Sequence, residues 1–142
     1  MEELDLVLIN GFGSDRIIDG FADLNLARRT ISVAALYNAF KDSLHTKVYI
    51  PSLFNSCDNL PIAKYYGISL FNYEIPLMGP VLAQIRKIAP NALVFAGGTG
   101  VMLNYATLLQ QHPELDFLIL GDGTKPTMDI LIKKMRPEDQ PN

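Results

Sequence analysis

Cysteine is nearly absent from this chain: Cys57 is the one example in 142 residues, so an internal disulfide is excluded. Histidine is almost as scarce, and His45 and His112 stand far apart with no companions at metal-ligand spacing. Basic clusters are missing too. Twelve Lys and Arg against 15 Asp and Glu give a formal charge of -3, and no basic run is longer than a pair. Phosphate backbones need clustered Lys and Arg, so nucleic acid is not an expected partner. No apolar run approaches the roughly 20 residues that a membrane helix needs, and the chain opens on Glu2, Glu3 and Asp5, unlike the basic start of a signal peptide. These absences predict a soluble, cytoplasmic, metal-free scaffold with no membrane partner.

What is present is enough apolar material, 49% of residues, for one sizeable core. Apolar runs bounded by turn signals occur at Leu4 to Ile9, Lys47 to Ile50, Tyr65 to Leu70, Ala92 to Phe95 and Phe117 to Leu120. Several are continuously apolar, as strands are when helices cover both faces of a parallel sheet. Helical spacing fills the intervals: Val33, Leu36, Tyr37 and Phe40; Met78, Val81, Leu82 and Ile85; Tyr105, Leu108 and Leu109; and Met128, Leu131, Ile132 and Met135, the last set with Thr124 as N-cap and Pro126 in its first turn. The stretch from Ser52 to Lys64 is only weakly patterned and predicts a short or irregular helix. Strand and helix in alternation predict an α/β fold: a doubly wound, five-stranded parallel sheet, flavodoxin-like, with strand order 2-1-3-4-5. Residues 1–135 form this domain, and 136–142, rich in Pro and charge, form a tail or the start of a linker.

In such a sheet a ligand lies outside the carboxyl ends of the strands, where helix N-termini present free N–H groups. The loops at those ends carry Asn10-Gly11-Phe12-Gly13-Ser14, running on to about Asn25; Gly67-Ile68-Ser69-Leu70-Phe71; Gly97-Gly98-Thr99-Gly100; and Gly121-Asp122-Gly123-Thr124. Each glycine has two readings: it permits positive φ in a turn, or it lets a ligand lie against bare backbone. If Gly98 has negative φ, Gly98→Val keeps the fold and blocks a ligand. Two other uses of the fold fit poorly. A phosphorelay receiver needs acidic residues where Asn10 and Ser69 stand, despite the Lys125-Pro126 pair. A dinucleotide fingerprint needs a third glycine where Gly11-Phe12-Gly13-Ser14-Asp15-Arg16 has Arg16.

Three stretches carry a family resemblance: Tyr66-Gly67-Ile68-Ser69-Leu70-Phe71; Arg86-Lys87-Ile88-Ala89-Pro90 leading to Leu93-Val94-Phe95-Ala96-Gly97-Gly98; and Asp116-Phe117-Leu118-Ile119-Leu120-Gly121-Asp122-Gly123-Thr124. In their order and spacing, over Leu4 to Met135, the chain resembles the cobalamin-binding domain, especially the version at the N-terminus of cobalamin-dependent radical S-adenosylmethionine enzymes. The family's wider pattern is Asp-x-His-x-x-Gly, Ser-x-Leu and Gly-Gly. Ser69-Leu70-Phe71 fits the second part with Phe for Leu, and Gly97-Gly98 fits the third. Asp23-Leu24-Asn25-Leu26-Ala27-Arg28 falls near the first, with Asn25 in place of the histidine and Arg28 at or beside the glycine.

The resemblance implies a base-off corrinoid without a protein histidine on cobalt, held by Phe12, Asn25, Ser69, Leu70, Phe71, Gly97, Gly98, Thr99, Gly121, Asp122 and Gly123. The flat nucleotide tail needs a small residue at Ser69 and bare backbone at Gly97 and Gly98; the corrin face rests on apolar surface that includes Phe12, Leu70, Phe71 and Tyr73. His45, by the start of the second strand, lies at the wrong end of the sheet to ligate cobalt. The chain is not expected to be catalytic alone, because a radical enzyme's iron–sulfur cluster needs clustered cysteines and only Cys57 is present. Cluster and S-adenosylmethionine belong to a partner domain, in the same parent chain or another, of the methyltransferase class. The alternative is a flavodoxin-like module that binds another nucleotide-type ligand or only a protein partner.

Overall fold

The computed structural model describes residues 4–10, 16–18, 31–51, 57–69 and 72–119. In chain order the elements are strand β1 (Leu4–Asn10), strand β2 (Arg16–Ile18), helix α1 (Ile31–Phe40), strand β3 (Thr46–Ile50), strand β4 (Ala63–Ser69), a 3-10 helix (Asn72–Leu77), helix α2 (Met78–Ile88), strand β5 (Leu93–Gly97), helix α3 (Thr99–Gln111) and strand β6 (Phe117–Leu118). The five strands read from the apolar runs are parallel and lie side by side as β3-β1-β4-β5-β6, which is the flavodoxin-like order 2-1-3-4-5. A sixth strand was not legible: β2 lies in the segment read as loop and pairs antiparallel on the outside of β3, with Ile17 opposite Tyr49. It is three residues long, too short to show a period, and its β-branched pair suits an edge position.

The order of the sheet reverses at β1, and with right-handed crossovers that reversal sends the helices to opposite faces. On one face Phe40 of α1, with Leu36 and Tyr37, covers Leu6, Leu8, Val48, Phe95, Phe117 and Ile119. On the other, α2 and α3 cover Val7, Ile9, Tyr66, Ile68, Val94 and Ala96. The buried side of α2 consists of Met78, Val81, Leu82 and Ile85, the four residues whose spacing announced the helix. In α3 only Leu108 of the expected three is buried, whereas Tyr105 and Leu109 are exposed. Between β3 and β4, the described residues 57–62 include a turn at 58–59 and no helix, and Cys57 packs into the core with Leu60. The expected last helix, Met128 to Met135 with Thr124 and Pro126, lies outside the described residues.

The end of the sheet where the parallel strands begin is stitched by polar contacts. The Asp5 carboxylate accepts the backbone N–H of His45 at 2.8 Å and meets Lys64 at 3.5 Å. Tyr66, wholly buried, donates its hydroxyl to the Pro61 carbonyl and accepts the Ala63 N–H. Arg86, in the last turn of α2, donates to the carbonyls of Pro90, Ala92 and Glu114 and to the Asp116 carboxylate. Asp116 accepts the Val94 N–H at 2.7 Å, so one ion pair ties α2 to the starts of β5 and β6.

Two predictions follow from these stitches. The His45 N–H, and then Lys64, hold the Asp5 carboxyl below its ordinary value of 3.8. A lowered folded-state pKa gives stability that is complete above the unfolded value and disappears as pH falls through the folded one. In Asp5→Asn the loss of melting temperature is therefore greatest near neutrality and shrinks to nothing in strong acid; melting curves across the acid range check it. Asp116→Ala leaves the Val94 N–H without its acceptor and should lower stability by about 1–2 kcal/mol in urea unfolding.

Candidate functional site

The carboxyl ends of β1, β4 and β5 fall in one row. Asn10 pairs with Ser69, and Ser69 pairs with Gly97. The row lies at the point where strand order reverses, since the chain leaves β1 toward β3 on one side and leaves β4 toward β5 on the other. Open α/β sheets leave a crevice there because successive crossover helices diverge to opposite faces.

Register also decides which way the row faces. Side chains alternate along a strand, so Ser69 shares a face with Gly67, and Gly97 with Phe95. Gly67 and Phe95 are themselves partners, on the face covered by α1. Ser69 and Gly97 thus form the next row outward on the α1 face. Phe95 is 3% exposed. Ser69 and Gly97, by contrast, are only partly buried.

The glycines differ in what holds them there. Gly98 has φ 104° and ψ -178° and sits at the N-cap of α3. That backbone conformation is open essentially to glycine alone, so the turn by itself accounts for Gly98. The condition of negative φ under which Gly98→Val would leave the fold intact is not met. Gly97 has no such constraint: a Cβ built on it would meet Ile119 O at 3.4 Å and Ile119 Cβ at 3.8 Å, which is ordinary contact. Among the described residues there is room for a Cβ at Gly97, and the sequence supplies none. Gly67 is bare for a third reason, since a Cβ there would stand 2.7 Å from Cζ of Phe95.

Thr99 opens α3, whose N-cap contributes no side-chain hydrogen bond. The positive end of a 13-residue helix is therefore directed at the C-terminal end of β5, where it favours an anionic group. Neither histidine is near: His45 immediately precedes β3, and His112 caps the C-terminus of α3, both at the opposite end of the sheet. Of the site predicted from sequence, Ser69, Gly97, Gly98 and Thr99 come together. Phe12, Asn25, Leu70, Phe71, Gly121, Asp122 and Gly123 lie outside the described residues, as do Asp23 and Arg28. Asn10, set by sequence at the end of the first strand but not counted in the site, pairs with Ser69, and Ile119 lies beside Gly97, a neighbour visible only once the strands are paired.

Two of the family-like stretches have structural duties. Arg86 and Asp116 form the ion pair at the start of β5 and β6, away from the row. Nor does Gly11-Phe12-Gly13-Ser14-Asp15-Arg16 lead into a helix as a dinucleotide fingerprint does, for Arg16 begins β2. An open groove of about 460 Å³, lined by Ile62, Lys64, Tyr65, Pro90 and Leu93, lies at the N-terminal ends of β4 and β5 and is separate from the row. No helix among the described residues is long and apolar enough to cross a membrane. The chain matches no family model and no curated protein.

The two adjacent glycines should respond oppositely to a methyl group. Gly98→Ala is forced into strained backbone and should lose about 1–3 kcal/mol of stability. Gly97→Ala should stay within about 1 kcal/mol of wild type, because no strain opposes the lower entropy of its unfolded chain. Chemical denaturation of both variants checks the pair.

Proposed function

We propose that this chain is a cobalamin-binding domain that holds and orients a corrinoid for a radical S-adenosylmethionine methyltransferase or a related enzyme, whose catalytic domain lies in the same parent chain or in a partner. The observation that carries this reading is Gly97: bare backbone with room for a Cβ among the described residues, beside the small Ser69 and one strand from the switch point between β1 and β4. A long flat tail laid across strand ends needs that combination, a side-chain-free floor with a hydroxyl next to it. Ser69 donates a hydrogen bond to the tail, and the N-terminus of α3 stands ready for its phosphate. By the family resemblance, Phe12, Leu70 and Phe71 would support the macrocycle, and Asn25, Gly121, Asp122 and Gly123 would contact the cofactor.

Both histidines of the chain lie at the far end of the sheet, so neither would reach cobalt; a base-off corrinoid would follow from Ser69 and Gly97 holding the nucleotide tail away from the metal. When bound, the corrinoid supplies a cobalt-centred carrier for a methyl group or an electron; the protein contributes binding and orientation. The iron–sulfur cluster and S-adenosylmethionine belong to the partner domain, and a cytoplasmic location fits this chemistry. One observation favours a second reading, a flavodoxin-like module for another nucleotide-type ligand: the free N-terminus of α3 suits any phosphate.

Titration with hydroxocobalamin, followed by absorbance after gel filtration, separates the two. The corrinoid reading predicts a coloured, base-off complex, and its cob(II)alamin form should lack nitrogen hyperfine splitting from an axial ligand in electron paramagnetic resonance. Gly97→Ala, for whose Cβ there is room, should weaken binding markedly with melting close to wild type, and Ser69→Ala should weaken it by about 1 kcal/mol. A colourless protein that binds flavin mononucleotide instead would favour the second reading.

A further inference from the structure

Charge disappears from one long stretch of this chain. From Ile88 to Pro113 the sequence holds no Asp, Glu, Lys or Arg, although such residues make up 19% of the whole. In buried β5 that lack is ordinary, but α3 has an open side. Ala106, Thr107, Gln110 and Gln111 are exposed on it, and so are two large apolar side chains, Tyr105 at 56% and Leu109 at 42%. A surface helix ordinarily turns charged and polar residues outward and apolar ones to the core.

Val101 and Leu108 turn into the core and hold α3 on the sheet. Tyr105 and Leu109, one turn apart, stand in line on a flank of the helix, and Ala106 and Gln110 form the next row outward. The apolar arc of α3 is therefore wider than the part that the sheet covers. Leu109 stands about three turns beyond the Gly98 N-cap, roughly 16 Å along the axis, so the flank is separate from the row of Ser69 and Gly97.

The chemistry of the flank limits what can cover it. It has no counter-charge for an acidic or basic partner, and a helix that lies on anionic lipid carries Lys or Arg beside its apolar face, which α3 lacks. What fits is another uncharged protein surface, and a second copy of this chain supplies one. In a two-fold pair the same patch meets itself, so a charge on it would be buried or brought near its like; α3 has none. Tyr105 and Leu109 bury against their counterparts, and an amide such as Gln110 both donates and accepts, so it can pair with its own kind. Each copy bears a formal charge of -3, and the charge-free flank is where two such chains approach with least repulsion.

We propose that α3 is the contact face of a homodimer, in which two copies lay their Tyr105 and Leu109 flanks together with the helices antiparallel across a two-fold axis. Antiparallel placement sets the two helix dipoles against each other favourably. One 13-residue helix per copy offers less than the roughly 800 Å² per partner of a lasting complex, so the pair is weak and reversible. This pairing is independent of what the strand ends bind.

Sedimentation velocity from about 10 µM to about 1 mM tests it, with thermal melting of each variant. Wild type should move from monomer toward dimer across that range. Leu109→Glu should lower the association constant on the order of tenfold or more, because its carboxylate would be buried against apolar side chains, and should melt close to wild type, because the position is exposed in the monomer. Thr107→Glu, which places the same charge on the other side of α3, should associate as wild type does. Wild type alone gives a second reading: amide resonances from Tyr105 to Gln110 should shift with concentration while those of β3 and β4 stay fixed. A wild type that remains monomeric throughout overturns the homodimer and leaves the flank to a different uncharged protein. Undiminished association in Leu109→Glu, an equal loss in Thr107→Glu, or shifts confined to other elements overturns it as well.

Discussion

The ring of Phe95 resting on the bare backbone of Gly67 is the contact on which the upper half of the sheet depends. It lets β5 lie against β4 without a side chain between ring and sheet, and through Phe117 it extends the same packing to β6. A glycine inside a strand ordinarily weakens it by exposing backbone and leaving nothing to pack. Here a neighbouring ring covers that backbone, and the loss becomes a packing contact. Because Ser69 and Gly97 follow two residues later on the same strands, the placement of the candidate site is inherited from this packing.

The two ends of the sheet are built for different purposes. Where the parallel strands begin, polar groups are consumed by each other: Asp5 with the His45 N–H and Lys64, Tyr66 with Pro61 and Ala63, Arg86 with three carbonyls and Asp116. Where β4 and β5 end, Ser69 and Gly97 are small, and the N-cap of α3, Gly98, adds no side-chain hydrogen bond. The polar ties described above are concentrated at the end where the parallel strands begin.

Much of the fold was legible in the sequence because it rests on local period. The four apolar positions of α2 are the four that it buries, and the continuous runs of β1 and β5 are buried on both faces. Strand β2 was not legible, since three residues carry no period and owe their conformation to pairing with β3. The exposure of Tyr105 and Leu109 was missed for a related reason: an apolar residue at helical spacing says nothing of whether a neighbour exists to cover it. The site was legible only in part. Sequence placed Ser69, Gly97 and Gly98 together, but gave Gly97 and Gly98 the same meaning. Backbone geometry separates them, assigning Gly98 to the turn and leaving Gly97 without a structural reason. Arg86 and Asp116, which stood out as family-like, prove to bind the framework together.

The central claim is that a corrinoid lies across the C-terminal ends of β4 and β5. Amide hydrogen exchange of the protein with and without hydroxocobalamin tests it most directly. The account predicts added protection at Ser69 and from Gly97 to Val101, with no change from Arg86 to Val94 or from His112 to Asp116. Protection confined to the second set, or none anywhere, would contradict it.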